Sequence, residues 1–450
     1  MAALGSIPLT ASGAWASPGN RSGLTIRIAR KRVEIARGFT VDTVAYNDAV
    51  PGPLIRLREG VPVEVELIND TATPELVHWH GLIVPVEADG SQEEGSPIVP
   101  AHGRLRYRLL PQPSGSRYVH THAMSMGDLT QGAFSGQYGF VYVEPVAEPG
   151  AYDREVFLST HEWDPYMALM TGHGPEAHEE SGSHAEDSLE VGYRRYTING
   201  RCLGHGDPLR VKTGQRVMFR ILNASATENV RLALPGHEFL IVALDGAAVP
   251  NPQVARVLEL GTGERVDALI TMNNPGVWIL GAPGSDLRAK GLGIVVEYAG
   301  RSGKPQWIDP APSSWDYARF GFAGGPATPG TVIPLVFEVA PAGPDGIEQW
   351  TVNGLPDGGP PMKVARGELY RLVFDNRTDD AHPVHLHRAN FELTEVYGKP
   401  TSGVVKDVVL VKAQRQIAAN FTPEVDGLML FHCHHQIHME HGFKMLFEVV

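Results

Sequence analysis

Ile55-Arg56-Leu57-Arg58-Glu59-Gly60, with Asn69 nine positions beyond the glycine, returns twice in this chain. The second copy is Leu209-Arg210-Val211-Lys212-Thr213-Gly214 before Asn223, and the third is Met362-Lys363-Val364-Ala365-Arg366-Gly367 before Asn376. The copies align without gaps, and their glycines stand 154 and 153 residues apart. Self-similarity at a long fixed period marks a repeated architecture. Within each copy apolar residues recur at every second position on both sides of the glycine, the pattern of two strands joined by a tight turn. Helical periodicity is weak throughout, while 50 glycines and 35 prolines punctuate the 450 residues. The reading is all-β, with three consecutive β-sandwiches over residues 22–147, 148–305 and 306–450 after an N-terminal stretch 1–21.

Charge and hydropathy narrow the partners. A net charge of −13 and a pI near 5.8 argue against nucleic acid and against an anionic membrane surface. No run of 18 apolar residues is present, so no membrane-spanning helix is expected. Leu9 through Ala14-Trp15-Ala16 resembles the tail of a secretory signal with its cleavage site, which predicts an exported protein, periplasmic or extracellular, whose leader has been trimmed. Of the two cysteines, Cys433 is flanked by histidines and Cys202 is not. Cys202 is therefore expected as a buried free thiol rather than a disulfide partner.

The repeat also shows where histidines were kept. Counting from the asparagine, positions +9 and +11 are His78 and His80 in the first copy and His385 and His387 in the third, but Leu232 and Leu234 in the second. A second landmark is a glycine five residues before another pair. Gly115 leads to His120 and His122, Gly427 leads to His432 and His434, and Gly276 leads only to Gly281. The middle domain thus reads as a structural copy without metal. Four His-x-His pairs on equivalent strands of the outer domains offer eight imidazoles, enough for about three metal ions. Only the third copy has a histidine at +6, His382, where the first has Glu75. Only the third has Cys433, where the first has Thr121. Both absences fall in one copy, which ties His382 to Cys433 as one site.

The stretch His432-Cys433-His434, with His438 and Gly442-Phe443 beyond it, follows the apolar run Leu428, Leu430, Phe431 and reads as the end of a core strand, the last of the chain. On a strand, His432 and His434 share one face and Cys433 takes the other. One strand therefore touches two metal sites a few covalent bonds apart, an arrangement suited to moving electrons. Cys with two His is the ligand set of an electron-transfer copper site whose weak axial ligand is usually Met. The expected axial position is Phe443, which cannot ligate, and the site should be the more oxidising for it.

Taken together, His78-Trp79-His80-Gly81, His120-Thr121-His122, His382-Pro383-Val384-His385-Leu386-His387 and His432-Cys433-His434-x3-His438-x3-Gly442-Phe443 resemble the three-domain multicopper oxidases of laccase-like, bacterial type, along the chain from about residue 22. The resemblance implies three cupredoxin-like Greek-key domains and four copper ions. Type 1 copper would be held by His382, Cys433 and His438, and type 2 by His78 and His385. The type 3 pair would be held by His80, His120, His122, His387, His432 and His434. It further implies one-electron oxidation of phenols or aromatic amines at type 1, transfer through Cys433 to His432 and His434, and four-electron reduction of O2 to water. Asp89 matches the acidic residue to which the family assigns proton supply, against a plain Asp-Gly turn. Asp407 matches a carboxylate near type 1 that could take a phenol proton or hold a metal-ion substrate, against a strand-end ion pair. Departures from the family pattern are Tyr118-Val119 before the second pair, Arg388-Ala389 after the third, Met439 where many relatives carry Glu, and Phe443.

Other residues invite weaker readings. Met124 and Met126 could bind Cu(I) or fill core gaps. Residues 167–190, rich in His, Met, Glu and Asp, read as a solvated loop or a metal-collecting lid. His435 borders the ligands, whereas His161, His205, His237 and His441 are expected as surface or hydrogen-bonded core residues. The partners implied are O2 and a small reducing substrate. The alternatives are a cuprous or manganese ion oxidase and, from another class, a copper-storage or trafficking protein without turnover.

Overall fold

The computed structural model describes residues 23–146, 150–170, 188–311, 313–325, 327–343 and 346–450. The signal-like stretch and most of the 167–190 segment lie outside these residues.

Six sheets fall into three pairs, one pair each from strands within Gly23–Glu144, Arg154–Tyr298 and Thr331–Val449. In every pair one sheet contains a parallel pairing of the domain's first strand with the strand that ends at the repeat asparagine. Gly23–Ala36 lies beside Val63–Asn69, Arg154–Met170 beside Arg216–Asn223, and Thr331–Ala340 beside Tyr370–Asn376. In the other sheet the strand before the repeat glycine runs parallel to the domain's last strand. Alternation along these strands turns one set of side chains into the sandwich and the other outward. The cores of the second and third domains merge into one hydrophobic cluster, bridged by Trp315, Tyr317 and Phe320 of the connecting segment. The first domain keeps its own core around Trp79.

The repeat residues have a shared structural reason. Gly60, Gly214 and Gly367 all adopt φ between 70° and 81°, a left-handed turn that other residues resist. Asn69, Asn223 and Asn376 each accept at Oδ1 from the backbone N–H two residues on, and donate from Nδ2 to a carbonyl of the loop beyond and to a more distant one, of Pro100, Leu260 and Val411 respectively. Each asparagine therefore pins the chain as it crosses from one sheet to the other. The strand that follows always starts in the same place, which is why the histidines recur at fixed offsets.

One expectation needs correction. The strand bearing Cys433 spans Gly427–Cys433 and is not the last; Lys444–Val449 pairs with it and lies between it and Met362–Val364. His434 lies just past the strand end, where its backbone N–H donates to the Pro383 carbonyl. A short helix, Gln436–Glu440, then turns the chain back and brings His438 against Cys433.

Candidate metal centre

Cys433 and its two partners form a compact group. Cys433 Sγ lies 3.7 Å from His382 Nδ1 and 3.6 Å from His438 Nδ1, and the two nitrogens are 3.1 Å apart. All three side chains are buried. These separations suit one ion at about 2 Å from each donor. The group is aimed by its neighbours. Thr378 donates to Asn376 Oδ1 at 2.9 Å, and its hydroxyl lies 2.7 Å from His382 Nε2. His382 Nε2 is thus the N–H donor, and its Nδ1 lone pair faces the sulfur. The repeat asparagine therefore also orients a ligand. Trp350 stacks on His438 with ring centroids 4.0 Å apart, and Phe443 closes the side toward His382 at 4.9 Å. His435 lies next to His438 and within bonding distance of Asn229 Oδ1. The two cysteines are free and buried, as expected for Cys202.

The four pairs meet between the first and third domains. His78 faces His120 across one strand pair and His385 faces His432 across the other, so equivalent positions converge on one space. Three groupings result. His78 Nε2 and His385 Nε2 approach to 3.4 Å. His122, His387 and His432 form a second group, with His387 Nε2 and His432 Nε2 3.1 Å apart. His80, His120 and His434 form a third, their ring centroids 5.0 to 5.7 Å apart. Every His-x-His pair is split between two groupings, because two side chains on one strand face are about 7 Å apart along it.

Burial, then neighbouring imidazoles and at His80 the Arg265 guanidinium, push His80, His120, His385, His387, His432 and His434 well below the usual histidine range, and His122 down to about 3. These rings are therefore neutral lone-pair donors. Outward hydrogen bonds aim them. Nδ1 of His78, His120, His385 and His432 meets the carbonyls of Asp89, Thr121, Asp407 and Cys433, and Nδ1 of His387 meets Asp89 Oδ2 at 2.8 Å. Among the described residues His80 Nδ1, His120 Nε2, His434 Nδ1 and both nitrogens of His122 are buried without partners. So many unpaired buried nitrogens would be costly in an empty fold. Cations fit the donor set and remove that cost, and imidazole with one thiolate site suits copper.

His438 behaves oppositely. Burial lowers it, but the hydrogen bond with Cys433 and the Glu190 carboxylate 3.9 Å from Nε2 outweigh burial and push it up to about 10. Glu190 is the third residue of Ser188–Ile198 and lies opposite Ala168 of Arg154–Met170 in the middle domain's hairpin, and its side chain is 26% exposed. Sequence reading had only the acid-rich composition around it to point there.

The two acidic candidates fare differently. Asp89 is buried against His387 and 3.4 Å from His78 Nδ1, while Gly90 behind it makes the left-handed turn, so the turn and the ligand contact coexist. Asp407 is corrected. It does not flank Cys433 or reach a surface, but lies fully buried in ion pairs with Arg117 and Arg265, its Oδ1 3.1 Å from His80 Nε2. Asp407 is the bend between strands Lys399–Lys406 and Val408–Val411, and the neighbouring Lys406 turns to different partners, Asp245 and Glu264 of the middle domain.

Departures from the expected motif find partners. Tyr118 places its hydroxyl 2.7 Å from His434 Nε2 and stacks on His120. Arg388, at φ 53°, pairs with buried Glu94 at 2.9 Å, and Glu94 Oε1 accepts from the Leu430 N–H at 2.7 Å. Glu440 accepts from Ser125 Oγ at 2.6 Å, and Met126 is 84% exposed and not in the core. His161 and His237 are hydrogen-bonded core residues, His205 accepts from the Arg37 N–H, and His441 bonds the Ile437 carbonyl.

Comparison with known proteins places these features. Multicopper oxidase sequence profiles match residues 27–148, 170–296 and 334–450. The chain is 29% identical over 428 residues to the multicopper oxidase MmcO of Mycobacterium tuberculosis, covering 90% of this chain and 82% of that protein. It is 23% identical over 521 residues to Laccase-8 of Oryza sativa subsp. japonica, covering 91% and 89%. A solved multi-copper oxidase from Pseudomonas thermotolerans shares the fold with a TM-score of 0.72 at 24% identity, over 95% of this chain and 99% of that one.

Proposed function

Because the chain belongs to the multicopper oxidase family, and so is a copper oxidoreductase that uses O2 and a reducing substrate, we propose that it works as a laccase-type oxidase of phenols and aromatic amines. The observation that carries this is the covalent junction at Cys433, where one residue belongs to the sulfur group while its chain neighbours His432 and His434 belong to two groupings of the histidine cluster.

In this reading one copper ion is held by His382, Cys433 and His438 and three by the eight paired histidines, His78 and His385 holding type 2 and the other six the type 3 pair. Bound copper would supply the one-electron steps and the reduction of O2. The chain's residues do the rest. Glu190 stands beside the outer edge of His438, where a carboxylate accepts the proton that a phenol sheds when it loses an electron. Cys433 links its sulfur to His432 and His434 through its own backbone, and the His432 ring adds a 2.7 Å hydrogen bond to the Cys433 carbonyl. Asp89, whose Oδ1 is buried and unpaired, holds protons for the water that forms. Burial of the cluster excludes bulk water from the reduction of O2.

A metal-ion oxidase, for cuprous or manganese ions, is the second reading, and the same Glu190 favours its manganese form, since a carboxylate beside His438 could bind Mn(II). Steady-state O2 uptake with a phenol, Cu(I) and Mn(II) side by side decides between them. Turnover with the phenol supports the laccase reading; turnover with a metal ion alone overturns it. A copper-loaded protein that stays colourless and consumes no O2 would sink both, in favour of storage.

A further inference from the structure

We propose that the middle domain, which carries none of the candidate ligands, keeps the histidine cluster competent through Arg265 and Gly263, with Arg265 acting as a positioning residue for His80. The inference rests on reading the cluster as the O2-reducing copper site.

Arg265 is fully buried and uses all five N–H groups. Nε donates to the Ser116 carbonyl at 3.1 Å in the first domain. Nη1 donates to the Gly263 carbonyl at 2.9 Å and to Asp407 Oδ1 at 2.6 Å, and Nη2 to the Asp245 carbonyl at 3.2 Å and to Asp407 Oδ2 at 2.6 Å. One guanidinium thus ties three domains and grips Asp407 with a two-pronged fork, the geometry a carboxylate matches best. Arg117 of the first domain adds a hydrogen bond to Oδ2 at 3.1 Å.

What the fork orients is a proton. Held this way, Asp407 Oδ1 accepts from His80 Nε2 at 3.1 Å, so Nδ1 of His80, buried and without a partner, carries the lone pair. His78, His120, His385, His387 and His432 are anchored the other way, by Nδ1. His80 is inverted relative to these five, as is His434, whose Nε2 meets the Tyr118 hydroxyl; the inversion of His80 depends on the orientation of Asp407. An anchor of this type fixes both tautomer and ring orientation of a metal-binding imidazole.

Two glycines show how tightly the parts are packed. A Cβ on Gly81, next to His80, would lie 2.5 Å from Asp407 Oδ2 and 2.7 Å from Arg265 Nη2. A Cβ on Gly263 would lie 2.9 Å from His434 Cδ2 and 3.1 Å from His80 Cε1. The turn at residues 261–265 of the middle domain is therefore a wall of the cluster. By contrast, among the described residues none of the Arg265 contacts reaches Cys433, His382 or His438.

The test uses the full-length, copper-loaded protein carrying Arg265→Gln, Arg265→Lys or Gly263→Ala. The expected result is a split. The blue absorption and the anaerobic reduction of the blue copper by a phenol stay as in the parent. The electron paramagnetic resonance signal of the non-blue copper changes, copper bound per chain falls, and kcat drops by about 10–100-fold with donor KM unchanged. Arg265→Lys keeps the charge but loses the fork, so it should fall too, and Gly263→Ala should give the same split with every charge intact. An unchanged non-blue signal and turnover in Arg265→Gln would overturn the proposal. So would a parallel loss of blue absorption, melting temperature and turnover in all three variants, because that is a plain folding defect. A parent that binds no copper would sink the functional reading as well, whereas an active parent with an indifferent Arg265→Gln sinks this inference alone.

Discussion

The Cys433 group and the eight-histidine cluster are built by different means. The first is local: His382, Cys433 and His438 come from one domain, held by a threonine two residues past the repeat asparagine and by one turn of helix. The second exists only because two domains face each other and a third closes the side, so that no single domain contains a complete grouping of any of the three kinds. Their electrostatics differ accordingly. At His122 and His432 burial outweighs the nearby carboxylates and drives the rings neutral, whereas His438, between a sulfur and Glu190, is driven toward the charged form. A local site is fixed by turn chemistry; a shared site is fixed by domain packing.

The sharpest way to break this comparison is Cys433→Ser. It should abolish the blue absorption, donor oxidation and O2 uptake together while copper at the histidine cluster remains, as counted by copper content and magnetic resonance. Loss of all copper instead would mean that the two regions are not separable. Next, Asp89→Asn should lower kcat by roughly 100-fold while the blue absorption is unchanged, since it removes a titratable group at the cluster only. An equal effect on anaerobic reduction of the blue copper would place Asp89 on the wrong side of the comparison.

Acid and base should separate the regions in metal-free protein. His80, His120, His122, His385, His387, His432 and His434 have depressed values, so the unfolded chain takes up their protons first. Their stabilisation is present above about pH 6.5 and is lost as pH falls toward the value of about 3 reached by His122, at about 1.4 kcal/mol per pH unit for each proton. His438 is raised, so its stabilisation is complete below about pH 6.5 and is lost as pH rises through about 10. Melting temperature against pH reads both limbs, and His438→Gln should flatten only the alkaline one. A smaller effect is expected from Glu190→Gln, about a tenfold rise in donor KM with the blue absorption intact, measured by steady-state kinetics. Smallest is Phe443→Met, which should lower the potential of the blue copper and slow only weakly reducing donors.

Much of this was legible in the chain. The gapless repeat located Gly60, Gly214 and Gly367 and the three asparagines, and those residues make the same turns and the same hydrogen bonds in all three domains. A hydroxyl residue two positions past each asparagine, Thr71, Ser225 and Thr378, was a further signal, and in the third domain it aims His382. Other residues gave no such sign. Asp407 reads the same in sequence whether it faces a substrate or three domains' worth of buried charge, because a single position between two strands carries no record of what packs against it. Glu94 and Arg388 are almost 300 residues apart, and their pairing depends on the approach of two sandwiches.

By itself the sequence determined the local matters: strand period, turns, the offset of each histidine from its asparagine, and the opposite faces taken by Cys433 and its neighbours. These follow from backbone geometry that repeats every two residues and needs no distant partner. Only the tertiary structure decided how the histidine pairs divide into three groupings, that Asp407 serves His80 rather than a substrate, and that Glu190 of the middle domain stands at His438. Those outcomes depend on surfaces that meet across domains, where burial and charge, not chain spacing, select the partners.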